Sequence, residues 1–484
     1  MTTAHLRLRA ATLSLALSAA PCAASAEEAK PYPQAFNGDG AITAGYSLSR
    51  WAEDWTSMAD AEKRDDPLDR LKYIPLDDDG NVYLTLSGEL RLRVNHTTNP
   101  NLRDAEAQRQ DINRVVGAAD LHLGKHLRVF GELAHGGIAG VNLGTPTTSL
   151  RNDLVVQQAF VEGMAQIGTV DVGVRYGRQE FVDGPNILTS QRDNNTIRYT
   201  LNGWRAYARG SKLRFGAFDF WPTEYGNRGF GDDQHDSARR FSGATVGVML
   251  PGTILGSKST VAFDAFVWRR RNDVGAWGGR VGPATRYYLG GWLRGDVGRV
   301  NFDWSVNRQW GHYIDQDISA WQAFIAQSYR LGDSKTAPRV GVHFDYASGG
   351  GGYGDGKLRN AYAPFGNNIY YSYQLYLTPS NLRAVTPNVS FAPFKGARLL
   401  AEYEFAYRDN VNDAVYRANG QPFAGTQNGR ARKIAELARL QLTWTITPRL
   451  SFTGRYEHLQ AGPALTDAGY KSSDFLAGWI SFRF

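Results

Sequence analysis

The strongest constraint on this chain is a two-residue rhythm that recurs from Val82 to the last residue, Phe484. In "VYLTLSGELRLRV" Leu84, Leu86, Leu90, Leu92 and Val94 share one face, and Thr85, Ser87, Glu89, Arg91 and Arg93 the other. That period belongs to strands, whose successive side chains point to opposite faces. The texture predicts strands near 82–96, 114–124, 127–136, 153–164, 169–179, 198–209, 212–221, 241–250 and 259–270. It continues near 285–296, 299–310, 319–331, 337–347, 384–394, 397–408, 432–446, 448–459 and 474–484. Most of these roughly eighteen segments run for ten to thirteen residues, the length a tilted strand needs to cross a bilayer. Strands of soluble proteins average about half that.

The connections alternate as well. Long "TTNPNLRDAEAQRQDIN" is followed by "GK", and long "GIAGVNLGTPTTSLRN" by "AQIG", while "GR" (298–299), "KG" (395–396) and "TP" (447–448) are minimal. In hydrocarbon every backbone group must pair internally, so strands span a membrane only as a closed barrel. The predicted fold is therefore all-β: a closed antiparallel transmembrane β-barrel of about 18 strands, with long external loops and short periplasmic turns. Mean hydropathy of −0.41 argues against a helical bundle but suits a barrel, in which only alternate residues meet lipid. The outward faces are free of charge at mid-strand, as in Val340, Val342, Phe344 and Tyr346 or Leu450, Phe452 and Tyr456. A charge there would cost about 2–4 kcal/mol.

Residues 1–26 have the layout of a secretory signal peptide: Arg7 and Arg9, the apolar "AATLSLALSAA", and "ASA" before "EEAK". Its removal would take the single cysteine, Cys22, and bring the net charge from +7 to about +5, too little for a nucleic-acid binder. Residues 27–80 do not alternate and are expected to form a periplasmic N-terminal extension, with 81–484 as the barrel.

The inward parity set carries the functional information. Its basic members include Arg91, Arg93, Arg128, Arg175, Arg205, Arg214, Arg286, Arg294, Arg339, Lys433, Arg439 and Arg455. Its acidic members include Glu89, Asp120, Glu132, Glu162, Asp171, Asp264, Asp303, Asp345, Glu402, Glu404 and Glu457. Most of these read as ion pairs propping a polar lumen. Some arginines read as a lining that recruits anions, since a guanidinium offers a carboxylate two hydrogen bonds at fixed geometry. The pathway candidates are Arg91, Arg93, Arg128, Arg175, Arg205, Arg294, Arg339, Arg439 and Arg455. Three segments could narrow so wide a barrel: 27–80, Phe181–Ile197 and Ser348–Asn381, although "SGGGGYGDGK" in the last reads as flexible external surface. No local motif nominates a catalytic nucleophile, "GDDQHD" lacks the spacing of an EF-hand, and no cofactor or metal is expected. A sealed adhesin or receptor barrel is the rival to a channel.

"RYGRQEFVDG" (Arg175 to Gly184), "KYIPLDDDGNVYLTLSGELRLR", "DYASGGGGYGDGK" and "RWAEDWTSMADAEKRDDPLDRLKYIPL" occur in that family's order on one chain and resemble segments of the alginate-export family of Gram-negative outer-membrane porins. The resemblance implies an eighteen-stranded barrel with an electropositive pore for a polyuronate, possible periplasmic export partners, and interest in Arg175 and Arg178. Exporters proper look to have a long periplasmic plug loop between the sixteenth and seventeenth strands, where this chain has only "TITPRL". What remains implied is the wider family of general and anion-leaning porins. The ending "FLAGWISFRF" reads as the closing strand, and its terminal Phe484 resembles the signal by which the outer-membrane assembly machinery recognises its clients.

Overall fold

A computed structural model describes residues 32–39, 42–43, 46–256, 258–354 and 356–484; the expected signal peptide lies outside the described residues. Eighteen long strands close into one antiparallel barrel. They are β1 (Val82–Thr97), β2 (Gln108–Leu123), β3 (Leu127–Val141), β4 (Asn152–Ile167), β5 (Val170–Gln179) and β6 (Leu201–Arg209). Next come β7 (Leu213–Glu224), β8 (Arg239–Leu250), β9 (Ser259–Trp277), β10 (Arg280–Val297), β11 (Val300–Tyr313) and β12 (Gln316–Arg330). The last six are β13 (Arg339–Ala347), β14 (Leu382–Phe391), β15 (Ala397–Tyr407), β16 (Lys433–Thr445), β17 (Leu450–Ala461) and β18 (Ser473–Arg483). Each strand pairs with its sequence neighbours, and β18 closes on β1 in the register Phe475↔Thr97 to Arg483↔Glu89. Among the described residues no helix is long and apolar enough to cross a membrane.

All eighteen predicted strands occur, and their alternation holds except at irregularities near Glu132–Gly136, Asn272–Gly275 and Ala406–Tyr407. Leu92, Val94, Val340, Phe344, Leu476 and Ile480 point outward and are exposed, while Glu89, Arg114, Glu132 and Arg175 point inward and are buried. One inward assignment is corrected. The register shifts between Ala406 and Tyr407, which sets Lys433 opposite outward Tyr407, where its ammonium pairs with Glu436 at 2.7 Å.

The connections at one end are the short ones, such as 298–299 and 446–449. Those at the other end include 180–200, 348–381 and 408–432. Two connections at the long-loop end are nevertheless tight. "RNDVGAWGGRVGPA", expected as loop, continues β9 and β10 to a hairpin whose turn is Gly278–Gly279. Both glycines have positive φ (56° and 83°), the backbone that a two-residue turn needs to follow strand twist.

The inner face is not uniformly polar. On β7 to β10 and β12 it carries Phe218, Phe220, Phe241, Phe266, Trp268, Tyr288 and Phe324, all buried in one apolar cluster with Phe181, Phe365 and Tyr371 of the long loops. Side chains of that size left wet inside the barrel would forfeit about 1.5–3 kcal/mol each, so the loops fold inward over them. The loop 348–381 is thereby corrected from flexible external surface to a lumenal element. Phe365 N–H donates to the Leu188 carbonyl and Ser190 N–H to the Phe365 carbonyl, joining it to the loop 180–200. Even its glycines are tied down: Gly349 and Gly350 donate backbone N–H groups to the carboxylates of Asp409 and Asp413.

The N-terminal extension enters the lumen from the short-turn end. Trp51 packs against Phe160 and Phe130, Lys72 donates to Ser87 Oγ at 2.9 Å, and Asp69 pairs with Arg449 in the 446–449 turn. Short 3₁₀ turns between Thr56 and Leu71 stay largely exposed at that end.

Candidate functional site

The lumenal arginines fall into two groups, divided by whether a carboxylate meets them. The larger group is neutralised. Glu89, wholly buried, is ringed by Arg50, Arg91, Arg114, Arg198 and Arg483. From the loop 180–200, Asp193 reaches the same cluster and accepts from Arg91 Nη2 and Arg114 Nη2, each at 2.9 Å, and from Arg198 Nε at 2.8 Å. Burial pushes the Asp193 pKa up, but Arg198, Arg91 and Arg114 outweigh it and hold the carboxyl well below the usual carboxylate range. Its side chain keeps 25 % exposure, against 0 % for Glu89, so it is the wetter of the two carboxylates in this knot.

Other candidates from the sequence are locked in the same way. Arg128 Nε donates to Asp120 at 2.7 Å, and Arg175 Nη2 to Glu162 at 2.9 Å, its guanidinium lying 3.7 Å from the centre of the Trp51 ring. Arg205 Nη1 donates to Asp39 of the extension at 2.9 Å. Arg294 pairs with Asp264. Arg439 pairs with Glu402 and Glu404 at 3.2 and 2.9 Å, and Arg455 Nε donates to Glu457 at 2.9 Å. Arg178, flagged by the resemblance, donates to Asn202 Oδ1 and to the Val156 carbonyl and pairs with Asp233. Most of these pairs join strands of the wall itself; Arg205 with Asp39 ties in the extension and Arg178 with Asp233 a loop, and removing one partner of such a buried pair costs about 3–5 kcal/mol.

The smaller group has no carboxylate partner among the described residues. Of the candidates it contains Arg93 and Arg339. Arg93 is 9 % exposed; its Nε donates to Asn95 Oδ1 and its Nη1 to the Asn194 carbonyl. Arg339 makes only a 3.4 Å hydrogen bond to Ser328 Oγ. Arg398, inward on β15, also stands at the short-turn end, and its Nη2 donates to Ser390 Oγ at 2.6 Å. Toward the long-loop end stand Arg192, Arg270 and Arg286. Arg192 Nε donates to the Gly366 carbonyl at 3.0 Å, Arg270 lies 4.9 Å from the Tyr362 ring centre, and Arg286 Nη1 donates to Gln309 Oε1 at 2.7 Å. Sequence reasoning nominated none of Arg192, Arg270 and Arg398. Arg192 stands in a loop without periodicity, and inward parity alone does not say which arginines find acids. An exposed inward carboxylate without a cation partner also occurs: Asp303, which accepts from Trp292 Nε1 at 2.6 Å.

Among the described residues no group of three or more His, Cys, Asp or Glu is placed to hold a metal. The arrangement is thus a barrel entered from one end by an extension and from the other by two loops, with lumenal arginines that meet no carboxylate among the described residues. A family model described as alginate export matches residues 82–478, from the first residue of β1 to near the end of β18. The chain belongs to the alginate-export family. A search of curated proteins finds no match to it. Among solved structures it is similar to OccK2 of Pseudomonas aeruginosa, determined in complex with glucuronate: TM-score 0.52, 12 % identity, 85 % of this chain and 98 % of that one covered. It is also similar to OccAB1 of Acinetobacter baumannii (0.55, 10 %, 86 % and 99 %). A BenF-like porin of Pseudomonas fluorescens Pf-5 gives 0.54, 12 %, 82 % and 98 %. At these identities the structures report fold alone. Family and fold together make this alginate-export member an outer-membrane channel.

Proposed function

We propose that the channel gives passive passage to small anionic solutes of the sugar-acid class across the outer membrane of a Gram-negative bacterium. The observation that carries this reading is the set of arginines without carboxylates at both ends of the lumen: Arg93, Arg192, Arg270 and Arg286 toward the long loops, Arg339 and Arg398 toward the short turns. Arginines that keep their charge in a low-dielectric passage raise the local anion concentration, and diffusion down a gradient needs no catalytic group. The alginate-export membership favours uronates as cargo, and the glucuronate held by OccK2 and the vanillate held by OpdK of similar fold are both carboxylates. The four-residue turn 446–449 favours small solutes over a secreted polymer, because it leaves no room for a plug loop there.

Purified protein in a planar bilayer under a potassium chloride gradient should give discrete current steps with a reversal potential on the anion-selective side. Cation preference would overturn the anionic reading, and a barrel that passes no current would favour a binding or adhesin role.

A further inference from the structure

We propose that the cavity lined by Arg93 is a binding site for one sugar-acid unit at the long-loop mouth of the channel. This rests on the anionic-channel reading and adds to it a location and a ligand shape. The Arg93 cavity encloses about 310 Å³, near the lower limit of small-molecule sites, about 300–1,000 Å³. Thr97, Asn101, Gln108 and Ser149 in its lining come from the ends of β1 and β2 and from the adjoining loops, which sets it at the long-loop end.

Among the described residues Arg93 is the only charged one in that lining. Two positions earlier Arg91 is satisfied by Glu89 and Asp193, whereas Arg93 uses Nε and Nη1 on neutral oxygens, and its Nη2 has no hydrogen bond among the described residues. The rings of Trp479 and Tyr373 lie 5.0 and 5.4 Å from its guanidinium carbon and hold the fork in place. An arginine nine-tenths buried without a counter-charge is costly, and a ligand carboxylate would supply that charge with two hydrogen bonds.

The rest of the lining suits hydroxyl groups. Asn95, Gln110, Asn194 and Gln374 present amides to the cavity. Two of their buried atoms are unpartnered, Asn194 Oδ1 as an acceptor and Gln374 Nε2 as a donor. One cation, a ring of amides and a tyrosine face match a molecule with one carboxylate and several hydroxyls. A bare inorganic anion would leave the amides unused, and a neutral sugar would leave Arg93 unpaired.

The test uses full-length protein and D-glucuronate, with glucose and acetate as controls. Calorimetry in detergent and current blockade from the long-loop side are measured for wild type, R93K, R93Q and Q374A. Glucuronate should bind better than either control. Its apparent Kd should rise at least tenfold in R93Q, less in R93K, and severalfold in Q374A, while the outward rim variant R271Q binds as wild type does. Equal binding of glucose or acetate, or unchanged glucuronate binding in both R93Q and Q374A, overturns the site. If R93Q fails to assemble, as judged by heat-modifiable mobility, Q374A and R93K decide the question. A channel that is anion-selective with no Arg93-dependent binding sinks the site alone. Arg93-dependent binding in a channel without anion preference sinks the functional reading alone.

Discussion

Replacing Arg50 with methionine should release the middle of the N-terminal extension from the lumen wall. Arg50 Nη1 donates to Glu132 Oε2 at 2.9 Å and its Nη2 pairs with Glu89, and both carboxylates are at most 1 % exposed. The loss falls unevenly on these two acids. Glu89 keeps Arg91 at 3.2 Å and Arg114 at 2.5 Å, whereas among the described residues Glu132 keeps only the Gln158 amide at 3.2 Å. Stranding one buried carboxylate costs about 3–5 kcal/mol. Because the extension can swing away and admit water, that cost appears as weaker docking, a factor of roughly 10² to 4 × 10³ at about 1.4 kcal/mol per decade. Asp39 on Arg205 and Asp69 on Arg449 still hold its two flanks, so the release is local. Amide hydrogen exchange in micelles should show residues 47–55 losing about a hundredfold protection, and single-channel records should show larger, noisier steps. Adding E132Q removes the stranded charge and should restore at least half of the lost protection. A change below tenfold in R50M, or no rescue by E132Q, would refute the claim that this ion pair locks the N-terminal extension in place.

Two further outcomes follow from the same geometry. The folded Asp193 carboxyl titrates well below its unfolded value, so its contribution is present above the ordinary carboxylate pKa of about 3.9 and is lost only as pH falls through the lower folded value. Exchange protection of residues 190–196, corrected for intrinsic rates, should therefore hold from pH 7 to pH 4.5 and drop at every pH in D193N; loss between pH 6 and 5 in wild type would contradict this. At the seam, Phe484 N–H donates to the Gly88 carbonyl at 3.2 Å and Gly88 N–H to the Phe484 carbonyl at 3.0 Å, with the Phe484 ring where a Cβ on residue 88 would stand. Both G88A and deletion of Phe484 should lower the yield of heat-modifiable barrel, with the deletion variant's assembled channels conducting as wild type does; undiminished yield in both would count against the terminal residue as part of closure and assembly.

The sequence by itself determined the wall. Alternation is a local property, and a one-residue slip would turn every lipid-facing side chain into the lumen. "VYLTLSGELRLRV" and "FLAGWISFRF" therefore declare their faces without any knowledge of their neighbours, and eighteen such segments leave a closed barrel as the one way to pair every edge. What fills the barrel was decided only in three dimensions. Arg91 and Arg93 occupy equivalent positions in the strand rhythm, yet one meets two carboxylates and the other faces a cavity. The difference lies in where the loop 180–200 sets Asp193 and Asn194 after crossing the lumen. Asp39 finds Arg205 across 166 residues, and the glycine-rich loop that reads as loose is anchored by Asp409, Asp413 and an inward cluster of aromatics. Strand faces follow from steric alternation between adjacent residues, while charge pairing follows from distances across the barrel that no local pattern encodes.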